Sequence, residues 1–397
     1  MMSVWSSLVG QEAAVAKLSE AAASARAIVA SRGGAHASDD ARSMSHAWLI
    51  TGPPGSGRSV AARAFAAALQ CTGETVGCGQ CAGCRTTMGR TNADVVFAAT
   101  ETSIINVETA RSLVLQAQSS PSQGLWRVIV VEDADRLGES GANALLKAIE
   151  EPPEHTVWLL CAPSPEDMIA TIRSRCRHLG LRIPTAAAVA DLLVREGVAT
   201  PEVALEAARA AQSHIGLARA LARDPQMRER RRAIITAPAS VRSVGEAVMA
   251  ADRLLETAKA QADAQVSERN AREKAELLRQ LGMDEGESAT KASRTMIRQL
   301  EEDQKRRSKR ALTDAIDRAL IDLLAIYRDV LMVQVGGDGE LINTDLADLV
   351  GQIARDSTPR QTLARVDHIE TARKRLVSNG NPLLVLEDMA ISLRPQA

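Results

Sequence analysis

The stretch GPPGSGRS at residues 52–59 has the composition and spacing of a phosphate-binding loop. Glycines Gly52, Gly55 and Gly57 let the backbone curl so that its N–H groups face a phosphate, and the N-terminus of a following helix adds favourable partial charge. Ser59 could supply a hydroxyl to Mg²⁺. Arg58 stands where such a loop normally has lysine, and its bulkier planar guanidinium is a poor replacement for a compact ammonium. The loop therefore predicts a degenerate nucleotide site that binds ATP and Mg²⁺ weakly or not at all.

Two acidic residues, Glu132 and Asp133, directly follow the apolar run at 128–131. Carboxylates at the carboxyl end of a buried strand could hold Mg²⁺ and polarise a water molecule. The usual order in ATPases of this kind is Asp then Glu, and the order here is reversed, which shifts each carboxylate by about one methylene. A solvated turn after the strand is the alternative interpretation.

Four cysteines, Cys71, Cys78, Cys81 and Cys84, form the pattern C-x₆-C-x₂-C-x₂-C. Closely spaced cysteines let a turn direct several thiolates at one tetrahedral ion, and four thiolates leave no open position for chemistry. The pattern predicts a structural Zn²⁺ site. An iron–sulfur cluster and four unligated thiols are the alternatives.

The tripeptide Ser174-Arg175-Cys176 contains a third group that could do chemistry, since a guanidinium can bind phosphate oxygens. By spacing alone this tripeptide is a weak signal, and ordinary surface arginines are the favoured interpretation.

Alternating apolar runs and helical stretches must position these residues. Short, nearly continuous apolar runs are typical of buried parallel strands, and here they occupy 46–51, 94–99, 127–134 and 156–162. Helical patterns lie between them at 60–69, 106–118 and 138–150. This alternation predicts a doubly wound α/β domain that ends near residue 183. Beyond it the pattern is helical only, with short helices over 186–223, a charged helical region over 241–335, and two helices over 341–394.

The composition excludes several classes of protein. Aromatic residues make up only 2% of the 397 residues, which disfavours a stacking platform for single-stranded nucleic acid, and a net charge of −1 gives no global attraction to DNA. The N-terminus lacks the pattern of a signal peptide, and no apolar run is long enough to span a bilayer. We therefore expect a cytoplasmic protein without membrane contacts.

Several short strings together resemble clamp-loader subunits of the AAA+ superfamily, which serve bacterial DNA polymerase III. The strings are WSSLVGQEAA at 5–14, the loop at 52–59, the four cysteines, NALLKAIEEPP at 143–153 and IRSRC at 172–176. The helix-end string at 143–153 is the most specific of them. The resemblance implies a fold of three parts: an AAA+ P-loop domain at 1–183 with a zinc module at about 71–84, a helical lid domain at 184–238, and a helical collar domain for oligomerisation at 239–397.

The resemblance also gives Arg175 a role, because this arginine of clamp loaders reaches into the nucleotide site of the neighbouring subunit. Arg175 is then a trans-acting arginine finger whose fixed donors face γ-phosphate charge.

Three positions depart from an ATP-hydrolysing member of the family. They are Arg58 in the loop, Ala162-Pro163 where the family places a polar sensor residue, and Gly216 where the lid places an arginine, although Arg219 lies one turn away. Three altered parts of one site predict a subunit that does not turn over ATP.

The resemblance thus implies a stator in a hetero-pentameric clamp loader. Its partners are motor subunits of the gamma/tau type and a delta subunit, and the complex places the beta sliding clamp on primed DNA for the DNA-directed DNA polymerase, a nucleotidyltransferase. The alternative is an ATP-hydrolysing motor subunit that uses arginine in its loop. A nucleotide kinase is disfavoured, since it leaves the cysteines and the Ser-Arg-Cys tripeptide unexplained.

Overall fold

The computed structural model describes residues 3–31, 43–98, 105–281 and 291–394. They form two compact units that divide between Ala222 and Arg223. The predicted fold class is confirmed, since an α/β unit with a phosphate loop precedes a unit made of helices.

The first unit is built on a parallel five-stranded sheet with the strand order β2-β3-β4-β1-β5. The strands are β1 (Ala47–Thr51), β2 (Val95–Ala98), β3 (Arg127–Val131), β4 (Thr156–Ala162) and β5 (Arg177–Gly180). In the centre, Ile50 of β1 lies opposite Cys161 of β4 and Leu179 of β5. All residues of β1 and β4 are buried, as expected for strands covered by helices on both faces.

Alternate side chains of the central strands belong to two separate apolar clusters, one on each face of the sheet. Trp48 and Ile50 point to the cluster that contains Phe65, whereas Leu49 points to the cluster that contains Leu145. The helices of this unit are α1 (Glu12–Ala30), α2 (Arg58–Leu69), α3 (Ala82–Met88), α4 (Val107–Ala117), α5 (Glu139–Glu150), α6 (Ala170–Arg173), α7 (Ala186–Arg195), α8 (Pro201–Ala210) and α9 (Ile215–Arg223). The four strands and the first helices lie where the sequence predicts them.

Among the strands described in the first unit, β5 is the one that the sequence pattern did not predict. Of its four residues only Leu179 is buried, and Arg177, His178 and Gly180 are exposed. An edge strand with one buried position has no continuous apolar run, so its pattern resembles that of a surface loop.

The second unit consists of long helices around one apolar core. They are α10 (Pro225–Ser240), α11 (Val244–Gln280), α12 (Lys291–Gln334), α13 (Ala347–Arg355), α14 (Pro359–Val377) and α15 (Pro382–Leu393). Residues 341–394 therefore form three helices where the sequence pattern suggested two, because the short helix α13 is followed by a separate start at Thr358, whose side chain and Gln361 form a capping box. The core includes Ile316, Leu320, Val330 and Leu386.

Tryptophan and tyrosine are divided between the units. Trp48, Trp126 and Trp158 are buried in the first unit, and Trp5 lies against Gly77 in the same unit. Tyr327, the single tyrosine of the chain, is buried in the core of the second unit.

The predicted boundary between lid and collar at residue 238 falls inside α10, which contains Pro238. The division into three domains stays a prediction. Within the described residues, none of the helices combines the length and the apolar character needed to cross a bilayer.

Candidate nucleotide cleft and metal centre

The glycine loop joins β1 to α2, which is the strand–loop–helix arrangement expected of a phosphate site. Gly55 and Gly57 have φ angles of 90° and 89°, a region that residues with a Cβ rarely adopt. At Gly52 the backbone is crowded instead, since a Cβ there would lie 2.5 Å from Ser56 Oγ and 2.9 Å from the carbonyl oxygen of Leu181. The three glycines that the sequence singled out are therefore required by the loop itself.

Arg58 is the first residue of α2, and its side chain turns back onto the loop. Its guanidinium donates a hydrogen bond to the carbonyl oxygen of Gly52. A lysine ammonium in this position would carry a point charge toward a bound phosphate, whereas this guanidinium is held by the loop backbone. A nucleotide phosphate would have to compete with this carbonyl oxygen for the guanidinium.

The loop borders a cleft of about 380 Å³ within the first unit. Arg58 and Ser59 line it from α2, and His214, Gly216 and Arg219 line it from the start of α9. Arg219 makes two hydrogen bonds of 2.9 Å to the carboxylate of Glu196. The side chain is therefore paired within its own unit.

Two cleft residues, Arg63 and His214, were not identified from the sequence. Arg63 lies one helical turn after Ser59, so an i, i+4 search of α2 would have found it on the same face. Its Nε is buried with no hydrogen-bond partner among the described residues, and burial together with the positive charge of Arg90 lowers the pKa of Arg63. His214 approaches the loop so closely that a Cβ on Gly55 would lie 3.0 Å from its Cα atom. No local sequence signal marks His214, since it lies about 160 residues after the glycine loop in the chain.

The acidic pair after β3 has partners of its own. Glu132 forms an ion pair of 2.5 Å with Arg90, and its side chain is 13% exposed. Both Glu132 and Asp133 are half-buried. Burial and the neighbouring charge of Asp133 raise the pKa of Asp135, the next carboxyl group along the chain. Because Glu132 is neutralised by an arginine, this strand end is less suited to Mg²⁺ than a pair of free carboxylates.

The other residues that depart from the family pattern carry no polar side chain. Ala162 ends β4 beside Thr51, and the carbonyl oxygen of Pro163 accepts a 3.1 Å hydrogen bond from the backbone N–H of Gly52. Gly216 lies in the cleft on α9. None of these three residues can orient a water molecule or a γ-phosphate through a polar side-chain group.

The four predicted cysteines converge. The Sγ atoms of Cys71, Cys78, Cys81 and Cys84 all lie within 4.8 Å of one another, which is the arrangement of a four-thiolate metal site. Cys71 and Cys84 are buried, and Cys81 starts α3. The cluster is able to hold one metal ion.

The surroundings of the cluster shift the pKa values of two of its thiols in opposite directions. Burial opposes ionisation of Cys81, but hydrogen bonds from the backbone and from neighbouring side chains, including the N–H of Cys84 at 3.4 Å, lower the pKa of Cys81 to about 6. Burial raises the pKa of Cys84 above its ordinary value. Metal ligands of this type bind as thiolates, so an ion would have to displace the proton of Cys84.

The cysteine module also contacts the N-terminal segment, a 3₁₀ turn at Val4–Ser7. The carbonyl oxygen of Gly77 accepts hydrogen bonds from the backbone N–H of Val4 at 3.0 Å and from Ser3 Oγ at 3.1 Å. Ser7 lines the cleft, and Gln11 donates a 3.3 Å hydrogen bond to the carbonyl oxygen of Ser56 in the loop. The N-terminal segment therefore connects the cysteine module to the glycine loop.

Arg175 lies on the surface, away from the residues that line the cleft. Its guanidinium donates to the carbonyl oxygen of Thr171 at 2.8 Å and to Glu150 Oε1 at 3.1 Å. Glu150 is the last residue of α5, the helix that carries the most specific string of the sequence. Both side chains of the ion pair are well exposed, and such pairs contribute only about 0–1 kcal/mol, so Arg175 can leave Glu150 for another anion at little cost.

Comparisons with known proteins show what the α/β region of this chain is similar to. Residues 36–185 match a family model described as DNA polymerase III, delta subunit. The chain is 35% identical over 159 residues to DNA polymerase III subunit gamma/tau of Mycobacterium tuberculosis, which covers 39% of this chain and 28% of that protein. It is 34% identical over 165 residues to DNA polymerase III subunit delta′ of Pseudomonas aeruginosa, which covers 41% of this chain and 50% of that protein. The α/β region of this chain is therefore similar to subunits of DNA polymerase III.

The aligned part spans half or less of the length of these curated relatives. Relatives of the gamma/tau type and of the delta′ type match the same region with 35% and 34% identity, so the comparisons do not distinguish between these two kinds of subunit. Among solved structures, a gamma subunit-related protein from Thermotoga maritima aligns over 88% of this chain and 94% of that chain, with 16% identity and a TM-score of 0.38.

Proposed function

We propose that this clamp-loader subunit is a stator of the delta-prime type, which helps load a sliding clamp onto primed DNA without hydrolysing ATP itself. The observation that carries the proposal is the contact of Arg58 with the carbonyl oxygen of Gly52. This contact engages the loop side chain that should meet the phosphates. Gly216, which lines the cleft, has no side chain, and Ala162 and Pro163 at the end of β4 have no polar one.

The active contribution of this chain is then Arg175, which acts on the ATP site of a neighbouring subunit. An exposed guanidinium held by a weak surface pair suits this role, because it can exchange Glu150 for phosphate oxygens when a neighbour docks. Ile172, two residues before Ser174, is fully buried and anchors the Ser174-Arg175-Cys176 segment to the core of the first unit.

The partners follow from this role. They are motor subunits of the gamma/tau type and a delta subunit in a hetero-pentamer, with the beta sliding clamp and primed DNA engaged through the complex. The chain would work in the cytoplasm at the replisome, as part of the DNA polymerase III holoenzyme. The helices of the second unit would form the oligomerisation collar.

For the metal centre we propose Zn²⁺ as the resident ion. Four cysteine ligands without histidine or water suit a structural zinc site, and the sulfur positions fit a single tetrahedral ion. Cys71, Cys78, Cys81 and Cys84 would hold it, and metal analysis of the purified chain, with Cys78→Ser as control, tests the assignment. One equivalent of zinc is expected, and iron with visible absorbance would contradict it.

Reconstitution tests the trans-acting arginine. The chain is mixed with its motor and delta partners, and ATPase activity stimulated by clamp and primed DNA is measured for Arg175→Ala. We expect the activity to fall by about 10³-fold or to background while the complex still assembles, since a lost arginine finger removes transition-state stabilisation. Arg173→Ala is the matched control, because Arg173 is exposed two residues away and should leave the activity unchanged. Full activity with Arg175→Ala would show that the role is wrong.

The alternative is an ATP-hydrolysing motor subunit, and the match to gamma/tau relatives supports it as much as the match to delta′ relatives supports the stator. The purified chain decides between them. A stator shows little or no binding of labelled ATP and no phosphate release. A motor hydrolyses ATP alone, and Arg58→Ala abolishes that activity.

A further inference from the structure

An apolar groove in the second unit lies outside every feature discussed so far. It runs between α10 and α11 and is closed at its base by α15, with a volume of about 210 Å³. We call it the α10–α11 groove. All of its lining residues belong to this one unit.

The groove exists because small side chains face it. Ala237 and other alanines of α10, α11 and α15 line the space, whereas Ile234 and Leu254 form its larger apolar walls. Ile234, Ala237 and Leu254 are only half-buried, so a further apolar side chain entering here would remove their remaining surface from water. Burying apolar surface is favourable by about 25 cal/mol per Å².

The charged residues that line the groove are both arginines, one on each side. Arg230 is on α10 and Arg253 is on α11, and both are exposed. Arg230 donates to the neutral side-chain oxygen of Gln226 at 3.1 Å. In the described part of the chain, no carboxylate pairs with either guanidinium. The groove is thus apolar at its base and positive at its rim.

We propose that the α10–α11 groove docks a short acidic and apolar segment of a partner protein, with one bulky apolar side chain in the groove and an adjacent carboxylate between Arg230 and Arg253. Charge complementarity at the rim selects the acidic residue, and the walls select the apolar one. A drug-sized or cofactor-sized molecule fits less well, because pockets for such ligands typically measure about 300–1,000 Å³.

Fluorescence anisotropy with defined peptides tests the proposal on the full chain. The probe is a labelled acetylated peptide whose centre reads Asp-Asp-Leu-Phe. One control replaces both aspartates with lysine, and a second replaces Leu-Phe with Ser-Ser. We expect the probe to bind about tenfold or more tightly than either control.

Variants of the chain then assign the binding to this groove. Arg230→Glu combined with Arg253→Glu should weaken the acidic probe by about tenfold or more and strengthen the lysine control, because the sign of the rim is reversed. Ala237→Leu should weaken the binding of the acidic probe and of the lysine control, because the larger side chain fills the groove. Arg272→Glu is the control for a charge reversal outside the groove. It reverses one charge at an exposed position of α11 and should have no effect, whereas Arg253→Glu alone, the same change on the same helix, should weaken the acidic probe.

Several results would overturn the proposal. Failure of the acidic probe to bind at about 1 mM, equal binding of all three peptides, or unchanged binding after the double reversal would each do so. Self-association in sedimentation that Ala237→Leu abolishes would assign the groove to a second copy of the chain instead. The proposal does not depend on the stator role, because no partner subunit takes part in the experiment.

Discussion

At the scale of single residues, Asp94 is the clearest case of a buried charge that organises the chain around it. Its carboxylate accepts hydrogen bonds from the backbone N–H groups of Ser122, Gln123 and Gly124 at 2.6–2.8 Å, and from Ser122 Oγ at 3.0 Å. Burial alone would raise the pKa of Asp94, but these donors outweigh it and hold the pKa below its ordinary value. The residue fixes the turn that leads into β3.

Asp94→Asn should therefore destabilise the first unit by about 2 kcal/mol near neutral pH, the contribution of a hydrogen bond to a charged group. The folded pKa lies below the unfolded value, so the stabilisation is present above about pH 4 and is lost as the pH falls through the folded pKa. Urea unfolding followed by circular dichroism, repeated at decreasing pH, should show the difference from the parent shrinking in acid. Asp191→Asn, at an exposed position of α7, should cost almost nothing at any pH.

At the scale of elements, a buried polar network attaches α10 to α12. Arg231 of α10 pairs with Asp322 of α12 at 3.1 Å and donates to Asn343 Oδ1 at 2.6 Å. Asn343 in turn donates a 3.0 Å hydrogen bond to Asp329, which is fully buried. Removing Arg231 leaves Asp322 with Arg318, at 3.3 Å, and takes one donor from Asn343 Oδ1.

We expect Arg231→Ala to lower the free energy of unfolding of the second unit by about 1.5–3 kcal/mol, since buried Asp322 would lose this partner and keep only Arg318. Arg232→Ala offers the comparison within the same helix. Arg232 is 59% exposed and 3.8 Å from Asp345, so its loss should cost about 0–1 kcal/mol. Equal effects of the two variants in chemical denaturation would show that the network contributes nothing beyond surface charge.

The cysteine module should control the order of the N-terminal segment through Gly77. Removing the metal, by chelation or with Cys78→Ser, is expected to increase hydrogen exchange at residues 3–8 and leave α7 and α8 unchanged, because only the former segment is held by the carbonyl of Gly77.

The variant Gly77→Ala tests the contact with the N-terminal segment separately from the loss of the metal ion. A Cβ at this position would lie 2.8 Å from Trp5 Nε1, so the variant should loosen the same segment with the ion still bound. Unchanged exchange at 3–8 after metal loss would mean that the two parts are independent.

What the sequence could predict depends on how local each signal is. Strands β1, β3 and β4 were predictable because all or nearly all of their positions are buried, and the cysteine cluster because its ligands fall within a few turns of chain. Strand β5 could not be predicted, since only one of its positions is buried. The cleft residue His214 could not be predicted either, because only the folding of the chain brings it to the loop. The return of Arg58 to the carbonyl of Gly52 likewise depends on the conformation of its side chain, which the residue type does not specify.

At the scale of the whole molecule, the two units have separate apolar cores. The clusters on the sheet belong to the first unit, and the helical cluster around Leu320 and Leu386 belongs to the second. A domain with its own core can fold alone.

A fragment of residues 1–224, which keeps α9 complete, should therefore unfold cooperatively on heating and retain the metal content of the full chain. Calorimetry and metal analysis of the fragment check both expectations. A broad transition without a heat-absorption peak would show that the first unit depends on the second.

All four tryptophans of the chain lie in the α/β unit, and the one tyrosine lies in the helical unit. Indole emission is thus a native optical label for one half of the molecule. Trp5 is half-buried and touches the module next to the cleft, whereas the other three are sealed in the core, so quenching by a soluble agent would sample Trp5 first. The emission wavelength and the quenching of Trp5 would therefore report on the N-terminal segment when the chain is mixed with partner chains that contain no tryptophan. No dye would have to be attached to the protein.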